Sequence, residues 1–160
     1  MNIHTGGATL VHELTHALMD PDFPKAPTWF TEAVGSLFEQ CSISKKDIRG
    51  LLNWRFPQLR KAARNDKLIP LKKLFNASRT DFDGSQSGLL YAESRYLALY
   101  LQRRGLLTAY YSKFRDNYAN DPTGSQTLEK VTGKSLKKLQ KKWKKWILRV
   151  AERQAEDDAE

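Results

Sequence analysis

Apolar residues in this chain recur at three- and four-residue steps. Nowhere does an alternating apolar–polar run extend past a few positions, which directs the 160 residues toward helices. The clearest case lies near the C-terminus. There Leu136, Leu139, Trp143, Trp146, Ile147 and Val150 form one apolar stripe with lysines opposite. Elsewhere the punctuation marks out the elements. Thr5-Gly6-Gly7 leads into a helix from about Ala8 to Met19, and Asp20-Pro21-Asp22-Phe23-Pro24 stops it. Ala26-Pro27-Thr28 opens a second helix, with Thr28 as N-cap, running to about Cys41. Ser44 is positioned to cap a third helix, Lys45 to Asn53, and Pro57 suits the first turn of a fourth that ends around Asn65. A short helix at Ile69–Phe75 and a polar loop from Arg79 to Gly88 precede a long helix, Leu89 to Arg104, broken at Gly105. Another helix runs to about Ala119, followed by a turn at Asp121-Pro122-Thr123-Gly124 and a short helix, Leu128–Val131, ending at Gly133. The expectation is an all-α fold: one helical domain over residues 1–153 and a flexible acidic tail over 154–160.

Composition narrows the function classes. The length suits one domain with a real core, and 40% hydrophobic residues with abundant aromatics describe a folding sequence. No apolar run approaches the roughly 20 residues that a membrane-spanning helix needs. The start, Met1-Asn2-Ile3-His4, lacks a signal-peptide pattern, which leaves the compartment open, export as part of a longer precursor included. Cys41, the single cysteine, excludes an internal disulfide framework and a thiolate metal cage, and among Leu37, Phe38 and Ile43 it reads as a small buried hydrophobe. The net charge of +9 is concentrated in the last helix, on Lys137, Lys138, Lys141, Lys142, Lys144 and Lys145. Such a face can bind nucleic acid or an anionic surface, giving a non-catalytic helical binding module as the alternative function. The apolar stripe behind those lysines favours instead a docked helix with a solvated basic face.

The stretch Val11-His12-Glu13-Leu14-Thr15-His16 carries chemistry. Residues four apart on a helix share a face, so His12 and His16 project together and two imidazole nitrogens can reach one Zn²⁺ at about 2.0–2.1 Å. Glu13, one step round, is placed to act on water at the metal as general base, without ligating. A catalytic zinc takes a third protein ligand. His4 lies upstream across two glycines, and no histidine follows His16. Two carboxylates remain. Asp22 follows His16 by six residues, the place of a ligand in some metzincins, but Met19 stands where those families need glycine. Glu32 lies in the next helix, after a proline-rich return loop.

Trp29-Phe30-Thr31-Glu32-Ala33-Val34-Gly35-Ser36-Leu37-Phe38-Glu39 resembles the W-L-N-E-G-F-A-S-Y-F-E helix of aminopeptidase-like gluzincins. The resemblance implies that Glu32 is the third zinc ligand beside His12 and His16. Asp22 reads as turn chemistry, since Asp-Pro-Asp suits a helix exit. Ala33 replaces the family's glycine and Gly35 its alanine. Leu90-Tyr91-Ala92-Glu93-Ser94-Arg95-Tyr96 is similar to the tyrosine-bearing helix of the same family. That similarity gives Tyr91, with Tyr96 as runner-up, the role of hydrogen-bond donor to the oxyanion, worth ~2.7–4 kcal/mol in such sites. Leu128 to Ile147 resembles the closing helices of uncharacterised bacterial gluzincin-like (peptidase-MA-like) domains.

Only eleven residues precede His12. The β lobe that gluzincins place before this helix is therefore expected to be absent from the chain. What the resemblance implies is the helical C-terminal half of a gluzincin catalytic domain, acting on a peptide or protein substrate, with an upstream β lobe possible in a longer parent protein.

Overall fold

A computed structural model describes the backbone of residues 3–45 and 47–157. Its elements are α1 (Ile3–Met19), α2 (Thr28–Leu37), β1 (Cys41–Ile43), β2 (Ile48–Gly50), α3 (Phe56–Arg64), α4 (Leu71–Leu74), α5 (Arg79–Phe82), α6 (Ser87–Gln102), α7 (Leu107–Asn117), α8 (Ser125–Thr132) and α9 (Leu136–Asp157). Among the described residues the fold is helical apart from one two-stranded antiparallel hairpin. No helix among the described residues is long and apolar enough to cross a membrane.

Helices α2 and α6 form the centre, and their mutual packing is the most extensive among the described elements. Both are apolar nearly all round. Trp29, Phe30, Ala33, Val34 and Leu37 are buried on α2, and Leu90, Ala92 and every residue from Tyr96 to Leu101 are buried on α6. A helix without a polar face has to sit inside. Burying each large side chain contributes about 1.5–3 kcal/mol. At one end of α2, Trp29 and Phe30 pack in an aromatic cluster with Phe23, Phe75, Tyr110 and Phe114, and the Trp29 indole donates to the Thr123 carbonyl. The stripe of α9 docks as its periodicity predicts: Leu139, Trp143 and Ile147 are fully buried, and the Trp143 indole donates to the Tyr96 carbonyl. The lysines opposite are solvated, except that Lys144 pairs with Asp66.

The segment expected as a third helix, Lys45 to Asn53, is instead part of the hairpin, with Cys41 paired to Gly50, Ser42 to Arg49 and Ile43 to Ile48. Ser44 caps no helix. Its amide donates to the Asp47 carbonyl (2.9 Å), and its hydroxyl accepts from the Asp47 amide (3.1 Å), which closes the turn. Serine side chains bond to nearby backbone in either setting, and strands three residues long are too short to display alternation. Gln102 of α6 covers the edge of β2, accepting from the Gly50 amide and donating to the Ile48 carbonyl. Buried Arg95 ties the end of α2 to the hairpin by donating to the carbonyls of Ser36, Gln40 and Leu51.

Smaller differences concern element ends. Helix α1 begins at Ile3, five residues before Ala8. Helix α2 starts at Thr28 with Pro27 in the cap position and no side-chain cap, and it stops at Leu37. The Arg79–Gly88 loop contains α5, held by a reciprocal Ser78–Asp81 capping box. Cys41 is half-buried. Gly105 and Gly133 end their helices in the left-handed conformation, as expected. Helix α9 continues to Asp157, past the expected start of the tail, and residues 158–160 lie outside the described residues.

Helix α1 packs chiefly on α2. Its opposite face is apolar yet exposed, with Leu10, Leu14 and Leu18 at 70%, 55% and 68% of full exposure.

Candidate metal centre

His12 and His16 face α2 and stack with ring centroids 4.7 Å apart. They come this close because Gly35 lies beneath them. A β-carbon there would stand 2.8 Å from His16 Nε2 and 3.0 Å from His12 Nε2. One turn earlier on α2, Glu32 is buried to 1% exposure, with its Oε2 3.0 Å from His12 Nε2 and 3.8 Å from His16 Nε2. His12, His16 and Glu32 form a group that could hold a metal ion, with one donor atom from each within 4.8 Å of the others. A test of fit is His16 Nε2, which is buried and without a hydrogen-bond partner among the described residues. A buried imidazole nitrogen pointed at a carboxylate and a second imidazole is an unfavourable arrangement unless something satisfies it. Two imidazole nitrogens and one carboxylate oxygen are also the donor types that divalent zinc takes.

A supporting layer surrounds these three. His12 Nδ1 lies 3.0 Å from Glu39 Oε1, which fixes the ring so that Nε2 points to Glu32. Glu39 accepts in turn from Arg55, Nη2 to Oε1 at 3.1 Å and Nε to Oε2 at 3.3 Å. Arg55 also lies 4.9 Å over the ring of Tyr91. Burial alone would lower the His12 pKa, but hydrogen bonds to Glu32 and Glu39 outweigh it and raise the value to about 9. Burial opposes ionisation of both carboxylates, yet His12 holds both below the ordinary range, with help from Arg55 at Glu39. Without a metal, the imidazolium of His12 is thus shared between two carboxylates, and a proton occupies the nitrogen a metal would use.

The other sequence candidates divide. Glu13 is exposed, one residue round α1 from His12. Tyr91 is half-buried beside the group, its ring centroid 6.5 Å from that of His12. Burial and the charge of Glu32 raise its pKa, so the hydroxyl keeps its proton and remains a donor. Tyr96 lies in the core, where its hydroxyl bonds to Asn53, so it is committed away from the group. Asp22 is committed as well. It accepts from Arg115 (2.7 Å) and from the Tyr111 hydroxyl (2.9 Å), tying the α1–α2 loop to α7. The side chain of His4 lies outside the described residues.

Sequence reasoning did not single out Glu39, Arg55 or Arg79. Glu39 had a signal, since it follows Glu32 by seven residues, two helical turns, and so shares its face. Arg55 had none, because the hairpin that brings it back was not foreseen. Arg79, which the sequence places in a polar loop, is the first residue of α5 and donates from Nη1 to Glu32 Oε1 at 2.6 Å. Comparison with family models, curated proteins and solved structures finds no match.

Proposed function

We propose that this chain is a zinc-dependent peptidase domain of gluzincin type, hydrolysing peptide bonds with an activated water. The observation that carries the reading is the convergence of His12, His16 and Glu32 within 4.8 Å around a buried His16 nitrogen that has no hydrogen-bond partner among the described residues. Bound zinc supplies Lewis acidity and makes water a nucleophile near neutral pH. The remaining work falls to the chain. Glu39 holds His12 through Nδ1, leaving Nε2 as the ligating atom, as carboxylate–histidine pairs do in zinc sites. Glu13, exposed at the same turn of α1, takes the proton of the attacking water and returns it to the leaving amine. Tyr91, protonated and beside Glu32, donates to the oxygen on which negative charge develops.

Metal analysis and calorimetry test this directly. Purified protein is expected to take up about one zinc per chain, to retain it in Glu13→Gln and to lose it in His12→Ala. Glu32→Ala removes zinc and Asp22→Ala does not, since Asp22 is engaged with Arg115. No uptake by the parent protein, with no rise in melting temperature on adding zinc, refutes the assignment.

A further inference from the structure

Arg79 stands over the acid ligand of this group and has no part in the chemistry above. Glu32 divides its oxygens: Oε2 faces the imidazoles, and Oε1 accepts from Arg79 Nη1 at 2.6 Å. The Glu32 side chain is 2% exposed and that of Arg79 is 62% exposed, so the guanidinium marks the border between the ligand set and solvent. Its backbone is fixed in the first turn of α5 by the Ser78–Asp81 capping box, and its Nε lies 3.6 Å from Asp83 Oδ2. Its Nη2 makes no hydrogen bond to the described residues. Arg55, by comparison, donates twice to Glu39 and lies over the Tyr91 ring. Of these two guanidiniums, Arg79 is the one open to solvent, with its side chain 62% exposed against 20% for Arg55.

We propose that Arg79 is the subsite for a carboxylate of the peptide substrate, so that the domain selects peptides carrying a carboxylate within about one residue of the scissile bond. The proposal rests on the metallopeptidase reading. Guanidinium and carboxylate match as planar forks, and an exposed arginine already oriented by one carboxylate loses little freedom on meeting a second. Among the described residues, Glu32 and Asp83 are the carboxylates paired with Arg79, so a metal drawing on the charge of Glu32 would leave Asp83 to balance it. The reach also fits. Arg79 bonds directly to a ligand of the metal group, and successive residues of a substrate are about 3.8 Å apart at Cα. A carboxylate at this place comes either from a C-terminal residue or from an Asp or Glu side chain.

Calorimetric zinc uptake is measured first and reports on the metallopeptidase reading by itself. No uptake removes that reading and the subsite with it. With uptake, peptide binding is measured on zinc-loaded Glu13→Gln protein, where turnover does not interfere. Ala-Ala-Ala is compared with its C-terminal amide, and acetyl-Ala-Ala-Asp-Ala-amide with its Asn counterpart. The carboxylate form of one pair is expected to bind ~tenfold tighter, as a charge-assisted hydrogen bond implies. Preference in the first pair assigns the α-carboxylate, and preference in the second assigns the side chain. Adding Arg79→Gln should flatten the preference, and Arg79→Lys should keep part of it. Equal binding of acids and amides by the Glu13→Gln protein overturns the subsite. A preference that survives Arg79→Gln overturns it too, even if zinc affinity falls, because Arg79 then serves only to hold Glu32.

Discussion

Replacing Gly35 by alanine separates metal binding from folding, and the structure sets both signs. The added β-carbon would lie 2.8 Å from His16 Nε2 and 3.0 Å from His12 Nε2, whereas ordinary contact begins at 3.4 Å. The two nitrogens must therefore retreat by 0.6 Å (3.4 − 2.8) and 0.4 Å (3.4 − 3.0). Ligand distances in metal sites hold to about ±0.2 Å, so both displacements exceed what the coordination tolerates. Disturbing the support of a single ligand already lowers metal affinity about 10–100-fold. The expectation for Gly35→Ala is a zinc Kd weakened by at least that range, roughly 1.4–2.7 kcal/mol. The helix itself gains, because alanine is about 0.5–1 kcal/mol better than glycine in a helix interior. That gain offsets the cost of moving two side-chain ends, and the metal-free variant should melt within a few degrees of the parent. Zinc affinity by chelator competition, alongside melting curves with and without chelator, reads both quantities. The gluzincin helix carries alanine at this place, so the prediction runs against the resemblance. A variant that binds zinc as tightly as the parent would show that the imidazoles of the loaded site do not lie against α2 as described.

Two pH effects follow from buried ionisable groups. His12, raised to about 9, has to release its proton for Nε2 to bind a metal. Zinc affinity should thus rise about tenfold per pH unit between pH 6 and 8, with close to one proton released at pH 7, as calorimetry in buffers of different ionisation enthalpy will register. An affinity independent of pH contradicts the shared imidazolium. In the metal-free protein the raised His12 value stabilises the fold fully below pH 6.5, and this contribution disappears as pH rises to about 9. Glu93 acts in the same direction: burial raises it to about 8 against the opposing Ile69 amide bond, so its contribution is complete below pH 4.5 and lost as pH rises through about 8. Glu93→Gln keeps an acceptor for the Ile69 amide and removes the ionisation. It should be more stable than the parent at pH 9, on the order of a few kcal/mol, and should flatten the fall in melting temperature between pH 6 and 9. An unchanged slope refutes the neutral assignment of Glu93.

The parts of the fold legible in the sequence are those with long apolar periodicity. The stripe from Leu136 to Val150 packs as its spacing indicates, and α6 is helical along its apolar stretch, because hydrophobic burial acts over many residues at once. The hairpin was hidden by its shortness and by Ser44, whose side chain serves a turn as readily as a helix cap. The three donors of the metal group were legible because two lie one turn apart on α1 and the third belongs to a continuous motif on α2. Arg55 and Arg79 were not, since each reaches the group by a return of the chain that local spacing does not encode.

The exposed leucines of α1 bear on how the domain depends on its surroundings. Leu10, Leu14 and Leu18 face outward, so burial fastens this helix on one side only. Coordination by His12 and His16 from one helix and Glu32 from the next would then act as the rivet between them. Each tenfold rise in free ion above the dissociation constant adds about 1.4 kcal/mol to the fastened state. Availability of the ion would therefore set how often the first helix is seated at all, making the segment a gauge of metal supply as much as a part of the scaffold.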